Sequence, residues 1–138
     1  YDSEILANTA WTYGVLGQWE DAKITAEKAI ELNPNYPRWY AGILFAYYFQ
    51  AGDYENALLH ASRYYNEGDL WSHLAMAASY EGLFRHEEAQ KHAKAIMDNF
   101  PEFVENPREE LSYLGFGEPF IDKMIVATRA AGVNFQND

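Results

Sequence analysis

At 138 residues, 49% apolar and 17% aromatic, the chain can bury a core as one domain, and it is too apolar for intrinsic disorder. Its formal net charge of −11, from 10 Lys+Arg against 21 Asp+Glu, repels phosphate backbones and anionic lipid, so neither nucleic acid nor a membrane is expected as partner. The lack of cysteine removes disulfides and thiolate metal sites and fits a reducing, cytoplasmic setting.

No apolar run is long enough to span a bilayer, and the pattern of a secretory leader, a basic stretch followed by an apolar one, is not visible in the opening residues. A start at Tyr1 rather than Met gives the expectation that the chain is cut from a longer protein.

Apolar residues recur at helical spacing almost throughout. Leu6, Ala10, Tyr13 and Leu16 form a first stripe, which Gly17 ends. Asp21, Ala22, Ala26, Ala29 and Ile30 belong to a second helix, stopped by Asn33-Pro34. A third helix is expected over 38–51, ending at Gly52-Asp53, and a fourth over 54–67, ending at Gly68. Asp69 can N-cap a fifth that runs to about Leu83. A sixth, over 85–99, is closed by Pro101.

Asn106-Pro107 then opens a short helix to about Leu114, with proline at its first position. Gly115-Phe116-Gly117 breaks it. A last helix over 118–131 has Phe120, Ile121, Met124, Ile125, Ala127 and Thr128 on its apolar face, and Gly132 caps it. No strand-like alternation is present, so the fold class is all-α.

One phrase recurs three times. It reads Tyr13-x3-Gly17-x-Trp19-x2-Ala22-x3-Ala26, then Tyr48-x3-Gly52-x-Tyr54-x2-Ala57-x3-Ala61, then Tyr80-x3-Phe84-x-His86-x2-Ala89-x3-Ala93. The copies lie 35 and 32 residues apart (Gly17 to Gly52, Ala57 to Ala89), the period of a stacked solenoid. Small alanines let paired helices approach, and the aromatics fill the turn and the hairpin.

This wording resembles the tetratricopeptide repeat (TPR) family over about residues 3–101, and "KAIELNP" at 28–34 is typical of it. The resemblance implies a right-handed α-α superhelix of three helical hairpins, at about 3–36, 37–69 and 70–101, closed by two C-terminal capping helices within 102–138. The copies also depart from the family. Its early tryptophan is Leu6, Ala41 and His73 here, its small first-helix residue is Phe45 in copy two, and the third turn has Phe84 where glycine is usual. The tail wording at 117–133 is similar to the ending of repeat modules attached to bacterial class III adenylate or guanylate cyclases, though no cyclase segment is present.

The resemblance makes the first helix of each hairpin the inner face of a groove. It places Trp11 there from copy one, Trp39, Gly42, Ala46 and Phe49 from copy two, and Trp71, Leu74 and Ala78 from copy three. Tryptophans beside small residues make pockets for apolar anchors. The expected function is a non-catalytic, protein-binding scaffold for a protein or peptide that is apolar or basic, in a larger protein whose attached signalling domain it regulates. Three alternatives stay open: the tail fills the groove, two copies self-associate as a homodimer, or the tryptophans beside carboxylates stack on a sugar, as in an enzyme or sugar binder.

The clamp that some family members use for acidic chaperone tails needs basic residues where this chain has Ala7, Trp11, Ile43, Trp71 and Ala75, so that ligand is not expected. His86-Glu87-Glu88 opens like a zinc helix but has Gln90 where a second histidine belongs, and no metal or other cofactor is expected. Glu87-Glu88 and Glu109-Glu110 read as first-turn carboxylates facing a helix dipole, and no catalytic arrangement or phosphate loop is found.

Overall fold

The computed structural model describes residues 2–136. Tyr1, Asn137 and Asp138, which belong to the expected segments 1–101 and 102–138, lie outside the described residues. The described residues are helical and contain no strand. In chain order the helices are α1 (Ser3–Val15), α2 (Trp19–Leu32), α3 (Trp39–Ala51), α4 (Tyr54–Tyr64), α5 (Leu70–Gly82), α6 (His86–Asn99), α7 (Pro101–Glu105), α8 (Pro107–Ser112) and α9 (Glu118–Ala131). The pairs α1/α2, α3/α4 and α5/α6 are hairpins, and α2/α3 and α4/α5 join them into a stack.

The repeated phrase explains each hairpin. Ala22, Ala57 and Ala89, with Ala26, Ala61 and Ala93 one turn later, are all at most 1% exposed. A methyl group is all the space between the helices admits, so their backbones pack closely. Each hairpin turn uses the same two backbone bonds. Gln18, Asp53 and Arg85 donate their N–H to Tyr13, Tyr48 and Tyr80, while Gly17, Gly52 and Phe84 donate to Gly14, Phe49 and Glu81. That pair of bonds requires a left-handed residue at the turn. Gly17 and Gly52 supply it at φ 77° and 79°, and Phe84 is driven into the same region at φ 60°.

In hairpins two and three the phrase tyrosine also stacks on a histidine of the second helix, Tyr48 on His60 and Tyr80 on His92, with centroids 5.4 and 6.0 Å apart. His73 stands at the early-tryptophan position of copy three. Its Nε2 lies 2.7 Å from the Glu67 carbonyl, which can only accept, so that nitrogen carries the proton. Its Nδ1 then accepts from His92 Nδ1 at 3.0 Å.

Two boundaries differ from the sequence reading for visible reasons, and one agrees. α4 stops at Tyr64 because the Tyr65 carbonyl accepts from Arg38 and the Asn66 N–H donates to Ser72 Oγ, which draws the chain out of the helix. Asp69 caps α5 as expected, accepting from the Ser72 N–H at 3.1 Å. Pro101 does more than close α6. It occupies the first turn of the additional helix α7, where a missing N–H costs nothing.

The tail folds back across the stack. α9 packs on α5 and α6, and its Phe120, Ile121, Met124 and Ile125 are each at most 3% exposed. Lys123 donates to the Gln50 carbonyl at 2.8 Å, in the last turn of α3 where a cation favours the helix dipole. Arg108 holds α8 to α9 through Glu118 and Asp122 at 2.9 and 2.8 Å.

Candidate functional site

The tail divides the expected groove. On one side an open cavity of about 360 Å³ remains. α1 contributes Asn8 and Trp11, α3 contributes Trp39, Gly42, Phe45 and Ala46, and α5 contributes Trp71 and Ala75. Tyr64 of α4 and Leu114, Phe116 and Phe120 of the tail complete the wall. On the other side a hollow of about 370 Å³ lies between Phe49, Tyr54, Ala78, Glu81 and Gly82 and the α9 residues Asp122, Lys123, Val126, Ala127 and Ala130.

Five of the eight expected groove residues therefore meet in one place: Trp11, Trp39, Gly42, Ala46 and Trp71. The other three do not reach it. Phe49 and Ala78 border the second hollow with at most 2% of their surface exposed. Leu74 is fully buried in the core, so it cannot offer contact surface. The reason is the tail: the apolar cluster that holds Phe49, Leu74 and Ala78 also holds Phe116, Phe120, Ile121 and Met124.

A chain of rings builds the wall between the two spaces. Phe116 sits 5.0 Å from Trp11 and 5.7 Å from Trp19, and Phe120 sits 4.7 Å from Phe116, 5.8 Å from Trp19 and 6.0 Å from Phe49. Gly14 makes room for it, since a Cβ there would lie 3.1 Å from the Phe116 ring. Trp19, a turn aromatic by its position in the phrase, thus also seats the tail.

The cavity itself is uncharged. Trp11 and Trp39 meet edge to face at 6.5 Å, and all three tryptophans remain partly exposed. Gly42 leaves its floor open, because the ring of Tyr64 lies 3.4 Å from where a Cβ would stand. Burial first, then the neighbouring Asp69 carboxylate, hold the Tyr64 hydroxyl well above its ordinary range, so it stays protonated. Asn8 and Tyr64 are the polar members of the lining. Such a site can bury apolar or aromatic surface.

The lining residues that sequence reasoning missed had uneven signals. Phe45 was marked by its size at a position where the repeat wants a small residue. Phe116 was marked by its place between two glycines. Tyr64 and Leu114 carried no signal, because their inward direction comes from how helices of different hairpins meet.

The histidines lie elsewhere. His86 Nδ1 pairs with Glu81 Oε2 at 2.9 Å, and no group of three or more metal-ligating side chains occurs among the described residues. No helix of the described residues is long and apolar enough to cross a membrane.

No protein-family model matches the chain, and no curated protein sequence matches it. Among solved structures the chain is similar to MamA MSR-1 C2, a TPR-containing protein, with a TM-score of 0.66. The match covers 96% of this chain and 80% of that chain at 17% identity. At that identity the likeness is one of fold, and the fold of this chain is an all-α, TPR-like helical repeat.

Proposed function

We propose that the chain is a non-catalytic protein-interaction scaffold whose open cavity receives a bulky apolar side chain of a protein or peptide partner. Residues 1–101 form the repeat array in this reading, and 102–138 form a cap that fills part of the groove and shapes the rest. The observation that carries the reading is the cavity of about 360 Å³ that persists beside the tail, walled by three partly exposed tryptophans. Aromatic-walled, uncharged hollows of this kind are where interface anchors bury. The net charge of −11 favours basic residues flanking that anchor, by steering rather than by pairing inside the cavity. The tail's wording supports a parent protein in which partner binding regulates an attached signalling domain.

A synthetic peptide with a central tryptophan flanked by lysines tests this, beside one with a central alanine and one flanked by glutamates. Tryptophan fluorescence of the chain is expected to respond to the first and to lose most of that response with either control. Trp39→Ala combined with Trp71→Ala should remove the response while circular dichroism stays helical. A folded double variant that binds as well as the native chain would overturn the assignment.

A further inference from the structure

Phe84 is the most anomalous residue on the surface. It is 94% exposed and its φ is 60°, a region that residues other than glycine rarely adopt. The turn geometry of the other two hairpins is built with glycine, so the ring is not needed to make the turn. A large apolar side chain held in solvent on a strained backbone gains nothing for the isolated fold, and such outliers cluster at contact sites.

The residues that follow Phe84 in the chain have partners of their own. Arg85 binds Glu88 at 2.6 Å and lies over the Tyr80 ring, and His86 is bonded to Glu81. The knob is thus an exposed apolar ring, and the cavity at Trp11, Trp39 and Trp71 is a matching apolar hollow with no charged residue in its lining. Its volume of about 360 Å³ exceeds the roughly 150 Å³ that accepts a benzene ring. Phe84 cannot reach its own cavity, because Trp71 and the end of α5 are separated by roughly 16 Å of helix.

We propose that Phe84 of one copy inserts into the cavity at Trp11, Trp39 and Trp71 of a second copy, joining copies head to tail. This rests on the reading of the cavity as a binding site and names a second copy as an occupant. Knob and hole are different surfaces, so the contact does not close on itself and builds open chains rather than a two-fold dimer. Like charge on the two copies opposes it, so salt strengthens it.

Sedimentation velocity over a concentration series, at low and high salt, tests the proposal. The native chain is expected to form species that grow with concentration, more so at high salt. Phe84→Gly, which keeps the turn, should weaken association about tenfold or more. Trp39→Glu, which places a charge at the cavity mouth, should do the same. Mixing the two variants restores one intact knob and one intact hole and should yield a 1:1 complex that grows no further.

A native chain that stays monomeric at both salts, a Phe84→Gly chain that associates like the native one, or a mixture that forms no complex would each overturn the proposal. N-acetyl-phenylalanine amide, followed through the Ala46 and Ala75 methyl resonances, separates the two readings. If it binds while the native chain stays monomeric, the second copy is excluded and the cavity remains a binding site. If it does not bind and the chain is monomeric, both readings fail.

Discussion

Two glycines inside helices show how local packing decides what a position tolerates. A Cβ on Gly82 would collide with the ring of Tyr54, whose base cannot move without shifting α4, whereas a Cβ on Gly42 would meet the Tyr64 ring at an ordinary 3.4 Å. Gly82→Ala is therefore expected to lose about 2 kcal/mol by overpacking, in spite of alanine's better helix propensity. Gly42→Ala should gain about 1 kcal/mol, since only the propensity term acts. Urea unfolding of the two variants should move in opposite directions.

Buried His60 and half-buried His92 add a pH dependence. Burial first, then Arg63, lowers His60 to about 4, and burial, His73 and Lys91 lower His92 to about 4, from an ordinary 6.5. The unfolded chain binds these protons first, so stability should fall as pH drops from about 6.5 to about 4, with no contribution from these groups above 6.5. His60 Nδ1 is buried without a partner. His60→Phe should thus gain about 1 kcal/mol at neutral pH and flatten part of that slope in urea midpoints measured across the window.

At the level of elements, the tail acts as one wall of the site as well as a cap. Phe120 is 3% exposed and touches Trp19, Phe49 and Phe116, which come from α2, α3 and the loop before α9. Phe120→Ala is expected to cost about 3 kcal/mol, because the rings around it cannot collapse into the space it leaves. The same variant opens the wall between the two hollows, so thermal unfolding should show the loss while an apolar dye gains fluorescence on the folded chain. Phe116→Ala, at the cavity's edge, should enlarge the cavity and change peptide affinity with a smaller loss of stability.

Over the whole molecule, charge is the quantity to test. The ion pairs Lys94–Asp98, Arg85–Glu88 and Arg108 with Glu118 and Asp122 join exposed side chains, so each contributes little and is weakened by salt. Against them stands the self-repulsion of a chain with net charge −11, which salt relieves. The excess of acid makes repulsion the larger effect, so the melting temperature is expected to rise from low to physiological salt. A fall would show that the local pairs dominate.

The recurrent phrase was sufficient to specify three hairpins, because tyrosine, glycine and small alanines at those spacings satisfy one local geometry wherever they occur. It also exposed the misfit of Phe84, since a turn that demands a left-handed residue is written into the order of the chain. The last helix was legible from its proline, its apolar stripe and its closing glycine, and its observed span, Glu118–Ala131, agrees. Where that helix goes was not legible. Its apolar face fits a groove, a second copy or a partner equally well, and a choice among them depends on which surfaces the stacked hairpins bring within reach. Packing α9 on α5 buried Leu74 and Ala78, left Trp11, Trp39 and Trp71 around an open space, and turned Phe116 and Phe120 into part of its wall. Periodicity is a property of neighbours along the chain, whereas a cavity is a property of residues far apart in sequence that meet in space.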